Sequence, residues 1–224
     1  MEFVFHYYKN EKQQLKYFLK EQGISKGLLA KIKFQGGKIY VNGQEENVLF
    51  NLKKNDRVLV ITPAEKAHET LLDDSSPIDV VYEDEHLLVV NKSSGIASIP
   101  AQYHPNKTMA NRVKAYYKRQ GYQDQVVHIV TRLDRDTSGL MLFAKHSFCH
   151  ALLDQQLRTK RLVKKYQAVV SGDFTQLDDH GWIDFSIERD LSSILKRQVG
   201  EQGKPALTEY WLRQKNDQLA QVEI

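Results

Sequence analysis

The stretch "VTRLDRDTSGLMLFAK", residues 130 to 145, sets Asp134 and Asp136 beside Arg132 and Arg135, directly ahead of an apolar run. Burying a carboxylate is costly unless a cation or hydrogen-bond donors meet it, so these charges must be compensated or must face a cleft. Gly139 to Ala144 form a continuous apolar run ending at Lys145, which suits a strand covered on both faces. The charges therefore sit where a loop enters a core strand. Further on, Arg158, Lys160, Arg161, Lys164 and Lys165 place five positive charges within eight residues without an acid, a pattern suited to phosphate. His146, Cys149 and His150 are metal-binding residue types, with the two histidines four apart on an expected helix. No fourth ligand stands nearby and Cys149 reads more simply as a small buried residue, so no metal is expected.

A chain of 224 residues with 41% hydrophobic content can bury one large core or two unequal ones. No window approaches the roughly 18 consecutive apolar residues of a membrane span. The N-terminus "MEFVFHYYKNEKQQ" lacks the pattern of an export signal. Cys149 is the one cysteine, which excludes an internal disulfide and fits a reducing, cytoplasmic location. The net charge of +4 is unevenly spread: residues 1–63 hold 11 Lys and Arg against 6 Asp and Glu, and residues 64–224 hold 21 against 22. A compact basic module points to a polyanion.

Those charges need elements to position them. Leu15, Phe18 and Leu19 share one helical face that stops at Gly23, and Ser25 can cap a second helix carrying Leu28, Leu29 and Ile32 up to Gly36-Gly37. Asn42-Gly43 between apolar positions signals a hairpin, and "DRVLVITP" closes as a strand. The acidic, proline-bounded segment 64–77 reads as a linker. Beyond it, strand patterns such as "HLLVVNK", "GLMLFAK", "YQAVVSG" and "LTEYWLR" alternate with two helices, one capped by Thr108 and stopped by Gly121, the other capped by Ser147 with Leu152, Leu153 and Leu157 inward. The expected class is α+β: a small helix-helix-hairpin domain followed by a mixed, mainly antiparallel sheet with flanking helices.

The order of two helices, Gly-Gly, "IYVNG" and "NDRVLV" resembles the small S-four-like RNA-binding domain, over about residues 12–62. The resemblance implies that Lys26, Lys31 and Lys33, on and beside the second helix, meet RNA phosphates. The segment "RLDRDTSGLMLFAK" resembles the catalytic motif of the RluA-type pseudouridine synthases, written H-R-L-D-x-x-T-S-G. "YEDEHLLVVNKSSGIASIP", "KKYQAVVSG" and "GKPALTEYWLR" fit further family motifs in the same order, so the match spans residues 78–224. The implied domains are 1–63 for RNA binding, a linker at 64–77 and a catalytic domain at 78–224.

The resemblance implies isomerisation of uridine to pseudouridine in RNA, without a cofactor. The partner would be ribosomal RNA, with transfer RNA as runner-up, met by a monomeric protein without a membrane. Asp134 aligns with the essential aspartate, which attacks covalently or assists base departure and sugar deprotonation. Arg132 would keep it ionised or fill the gap left by a flipped nucleotide. Tyr166 matches the tyrosine that lies against the target base, and Arg158, Arg161, Lys164 and Lys165 would hold phosphates around it. Asn91 and Lys92 are retained from the first motif and are expected on the RNA. Thr137 and Ser138 are expected to hold the loop through their hydroxyls, Gly139 to allow a tight turn, and Asp136 to be variable. Thr131, Ser93 and Ile99 depart from the family's histidine, proline and histidine.

Two other readings compete. Asp134-Arg135-Asp136-Thr137 also fits D-x-D-x-T of magnesium-dependent aspartyl-phosphate phosphatases, but Arg132 interrupts the apolar approach and no parallel βαβ series follows. A non-catalytic RNA-binding protein is the second, opposed by the presence of both Asp134 and Tyr166. The chain ends at "LAQVEI", an alternating strand. The RluA-type family continues there into a motif rich in G-R-T-H-Q-I-R whose arginine pairs with the catalytic aspartate. The resemblance therefore implies an N-terminal part of a longer protein, roughly 280 to 300 residues, with its catalytic domain incomplete.

Overall fold

Side chains alternate between the two faces of β1 (Glu2–His6), which turns Phe3 and Phe5 toward the interior and leaves Val4 exposed, an element the sequence motifs did not anticipate. In the computed structural model, which describes residues 1–65, 70–101, 105–175, 177–193 and 196–224, β2 (Gln13–Gln14) leads into α1 (Leu15–Glu21). The helix buries Leu15, Phe18 and Leu19. Helix α2 (Lys26–Phe34) starts at Ser25, whose Oγ accepts from the Leu28 amide at 3.1 Å. Strands β3 (Lys38–Val41) and β4 (Gln44–Glu45) turn at Asn42-Gly43, with φ of 50° and 85°, the two positive values a type I′ turn needs. β5 (Asn51–Leu52) pairs with β2, and β6 (Arg57–Ile61) completes an antiparallel sheet in the order β1-β6-β3-β4. Gly37 lets α2 and this sheet touch: a Cβ there would stand 2.7 Å from both Ile32 Cα and Ile61 O.

The chain continues through β7 (Asp79–Glu83), β8 (Leu87–Lys92), α3 (Met109–Gln120), β9 (His128–Ile129), β10 (Gly139–Ala144) and α4 (Ser147–Arg158). The strands form a second antiparallel sheet, β7-β8-β10-β9. Helix α3 opens with a Thr108–Asn111 capping box and closes at Gly121, φ 70°. Helix α4 departs from expectation at its start. Its cap is His146, in extended conformation, whose Nδ1 accepts from the Cys149 amide at 3.2 Å, while Ser147 is already helical. Leu153 is buried, with Leu152 and Leu157 half-buried. Strand β10 also departs: Met141, Phe143 and Ala144 are buried but Leu140 is 61% exposed, because the sheet is antiparallel and not clad on both faces along its length.

The segment expected as a linker is tied down where it is described, positions 66–69 lying outside the described residues. Glu65 N donates to Asp124 Oδ1 at 2.8 Å, and Asp73 pairs with Lys118 at 3.0 Å and Lys114 at 3.4 Å. Leu72 O accepts from Asn111 Nδ2 at 2.7 Å. Asp73 and Asp74 meet the basic side of α3, which converts a polar sequence into a docked one. Helix α4 contributes to the core of the N-terminal elements. Phe148 of α4, with Leu152 beside it, packs among Tyr7, Leu15, Leu19, Ile32 and Val58 of the N-terminal elements.

Residues Met1–Leu162 form one compact unit and Val163–Ile224 another. The second holds β11 (Gln167–Ser171), β12 (His180–Arg189), β13 (Arg197–Val199), β14 (Lys204–Lys215) and β15 (Leu219–Glu223). They form an antiparallel sheet in the order β11-β15-β14-β12-β13. The β14–β15 turn is set by Asn216 Oδ1, which accepts from the Leu219 amide at 2.8 Å. The expected α+β class, dominated by antiparallel pairing, is the class observed.

Candidate active site

Strands β8 and β10 pair so that Lys92 stands opposite Gly139, and the loops leaving these two strand ends run together. Lys92 is fully buried at their junction. Its ammonium donates to Ser93 O at 3.1 Å, Ile96 O at 2.8 Å and Arg135 O at 2.9 Å, which uses all three of its protons. Gly95 N also donates to Arg135 O, at 3.0 Å. Ser94 Oγ donates to Asp136 O at 2.8 Å. Buried Ser98 donates its hydroxyl to Leu133 O and accepts from Leu133 N at 3.1 Å. The backbone is thus held at Leu133, Arg135 and Asp136, on both sides of Asp134. Gly139, at φ 122°, makes the turn into β10 that a side chain would strain.

The Asp134 carboxylate is exposed on this clamped loop and makes no ion pair with any described residue. Arg135 is spent on Asp136, with Nε and Nη2 each 3.0 Å from its carboxylate. Arg132 is exposed and likewise makes no ion pair among the described residues, so of its two expected roles the pairing with Asp134 is not formed there. A rigidly presented carboxylate with free lone pairs can serve as nucleophile or base.

Lys92 was expected on RNA, and its placement corrects that. A buried ammonium satisfied by three carbonyls cannot reach a phosphate, so Lys92 is a positioning residue. Burial lowers its pKa below the ordinary lysine value, and the charges of Asp136 and Asp134 oppose that shift. Neighbouring Asn91 points to the other face of β8, exposed, and donates to Asp79 Oδ2 at 3.0 Å. The hydroxyls that hold the loop are those of Ser94 and Ser98. No side-chain bond from Thr137 or Ser138 holds it among the described residues, and Thr137 contributes its amide to Asp134 O at 3.2 Å. Thr131 Oγ1 accepts from Leu142 N at 3.0 Å and so belongs to the edge of β10.

The other expected contacts divide between the two units. Lys26 and Lys33 are exposed on α2, whereas Lys31 is drawn to Glu65 at 3.2 Å. Burial pushes the Glu65 carboxyl up, but His128 at 2.6 Å, the Ser147 amide at 3.0 Å and Lys31 outweigh it and hold the pKa at about 2. Arg158 pairs with Asp154 one turn back at 2.5 Å, and Arg161 is exposed. In the second unit Lys164 is exposed and Lys165 lies 3.5 Å from Glu223. Tyr166 is half-buried, and its backbone pairs with Ile224 at 2.7 and 2.9 Å, just ahead of β11. His146 and Cys149 are occupied at the start of α4, and burial pushes the Cys149 thiol up to about 11.

A family model described as RNA pseudouridylate synthase matches residues 86–223, from the strand before the Lys92 junction through the second unit. The chain belongs to the RNA pseudouridylate synthase family. The uncharacterized RNA pseudouridine synthase YjbO of Bacillus subtilis (strain 168) is 41% identical over 94% of this chain and 73% of the relative. A second synthase of that organism, YhcT, is 37% identical over 80% of the chain and 59% of its own length. The ribosomal large subunit pseudouridine synthase D of Borreliella burgdorferi is 36% identical over 71% of the chain. The chain spans 50% of that relative. Among solved structures, human RNA pseudouridylate synthase domain containing 1 shares the fold, with a TM-score of 0.52 at 19% identity over 67% of this chain and 59% of that one.

Proposed function

We propose that this chain isomerises uridine to pseudouridine in RNA, with Asp134 as the catalytic carboxylate and no cofactor. The observation that carries this is the exposed Asp134 side chain, free of ion pairs among the described residues, on a loop pinned by Lys92, Ser94 and Ser98. The glycosidic bond to the ring nitrogen breaks, the base turns, and a bond from the anomeric carbon to a ring carbon forms while that carbon's proton leaves. Asp134 acts either as the covalent nucleophile or as the base for this exchange. Arg132 fills the gap left by the flipped nucleotide. The basic N-terminal elements work as an S-four-like docking module. Ribosomal RNA is the proposed substrate class, supported by the name of the Borreliella relative. The protein acts as a cytoplasmic monomer.

The test is tritium release from ring-labelled uridine in RNA. Asp134→Asn keeps RNA binding and lowers release by at least about a thousandfold. An Asn variant that releases tritium at near the wild-type rate overturns the assignment.

A further inference from the structure

An open groove of about 910 Å³ lies between the α1–α2 turn and the outer side of α4, away from the residues that clamp the Asp134 loop. Its floor is apolar, with Ile24 and Leu28 almost fully buried. One wall carries Lys16, Lys20 and Lys26, none of which makes an ion pair with a described residue. Arg158 stands on the other wall, and the sole acid among the lining residues is its partner Asp154. Three lysines left without counter-charge beside an arginine make a local positive potential that a polyanion would neutralise. Tyr17, 53% exposed, presents a ring at the same wall, with the Lys16 ammonium 4.8 Å from its centroid. An exposed aromatic interleaved with cations is a stacking surface for a base. The walls are fixed to each other, because Gly23 of the α1–α2 turn sits so close to Leu152 of α4 that a Cβ would collide with it.

We infer that this groove holds a single-stranded segment of the RNA, with phosphates against Lys16, Lys20, Lys26 and Arg158 and one base on Tyr17. The inference rests on RNA being the substrate, and it adds that the module and helix α4 bind one strand jointly. An acidic peptide is the competing occupant, disfavoured because nothing about an exposed tyrosine ring between lysines would select it.

Fluorescence polarisation of a labelled oligouridylate, measured across a salt series with the full chain, tests this. Lys20→Glu and Arg158→Glu, on opposite walls, each weaken binding by about tenfold or more and reduce the salt slope by about one. Tyr17→Ala weakens binding by about tenfold with the salt slope unchanged, as loss of stacking requires. Lys54→Glu, the same charge change outside the groove, leaves affinity within about twofold. Wild-type affinity in both charge-reversal variants, with tritium release intact, overturns the groove and leaves the proposed function standing. Displacement of the oligonucleotide by polyglutamate at equal charge concentration shows a peptide site and also overturns it. A wild-type chain that neither binds RNA nor releases tritium overturns both readings.

Discussion

Lys92 illustrates how a single residue can be conspicuous in a motif and still work from below the surface. Its charge is buried without an ion pair among the described residues, a placement that is unfavourable unless every proton is bonded, and the three carbonyls supply those bonds. Replacing it by methionine keeps the length of the side chain and removes the donors, leaving the Ser93 and Ile96 carbonyls without this partner. Lys92→Met is expected to cost about 3 kcal/mol in denaturant unfolding. It is also expected to lower kcat by about tenfold or more, with KM for RNA nearly unchanged, because Asp134 loses its registration and not its substrate. A rise in KM at constant kcat would show that Lys92 touches RNA after all.

Among the elements, helix α4 depends on the protonation state of its cap. His146 is 4% exposed and its Nδ1 accepts from the Cys149 amide, so the ring proton sits on Nε2 and points at His86 Nδ1, 3.0 Å away. Burial and the neighbouring His86 lower its pKa to about 4 from the ordinary 6.5, against a weaker upward pull from Glu65. Between those values the unfolded chain takes up a proton that the folded chain refuses. The stabilisation is therefore complete above about pH 6.5 and is lost progressively as the pH falls toward 4, with about 2 kcal/mol gone at pH 5. The Glu65 carboxyl, lowered from 4.5 to about 2, gives stability that is lost below about pH 4.5 and so contributes little between pH 7 and pH 5. Unfolding at pH 7 and pH 5 measures the difference. His146→Asn, which caps without titrating, should flatten it; an equal pH slope in that variant would place the effect elsewhere.

At the scale of the whole molecule, the basic N-terminal elements are not a detachable module. Phe148 of α4, 7% exposed, is part of the same buried cluster as Leu15, Phe18 and Val58, and its ring lies 4.7 Å from Phe3 and 6.2 Å from Phe5. Phe148→Ala is expected to cost about 3 to 5 kcal/mol and to lower the melting temperature of residues 1–162 as one transition. Two separate transitions, with the N-terminal one alone shifted, would show that the module folds by itself. The docked segment around Glu65 and Asp73 argues the same way, since its ion pairs to α2 and α3 and the Ser147 amide's hydrogen bond to Glu65 tie α2, α3 and α4 together.

Features that local chemistry controls could be read from the residues alone. Ser25, Thr108 and Gly121 end their helices as their side-chain oxygens and backbone freedom dictate, and Asn42-Gly43 turns its hairpin. The order of motifs around Asp134 was also legible, and with it the family. The tertiary structure alone decided what depends on residues far apart in the chain. Lys92 meets Arg135 across 43 positions and Glu65 meets His128 across 63, and no periodicity records such partners. Ser94 and Ser98 lie within the first motif but carried no signal of their own, yet they hold the Asp134 loop. Whether a lysine binds solvent, a phosphate or three carbonyls is set by burial, and burial is a property of the packed chain.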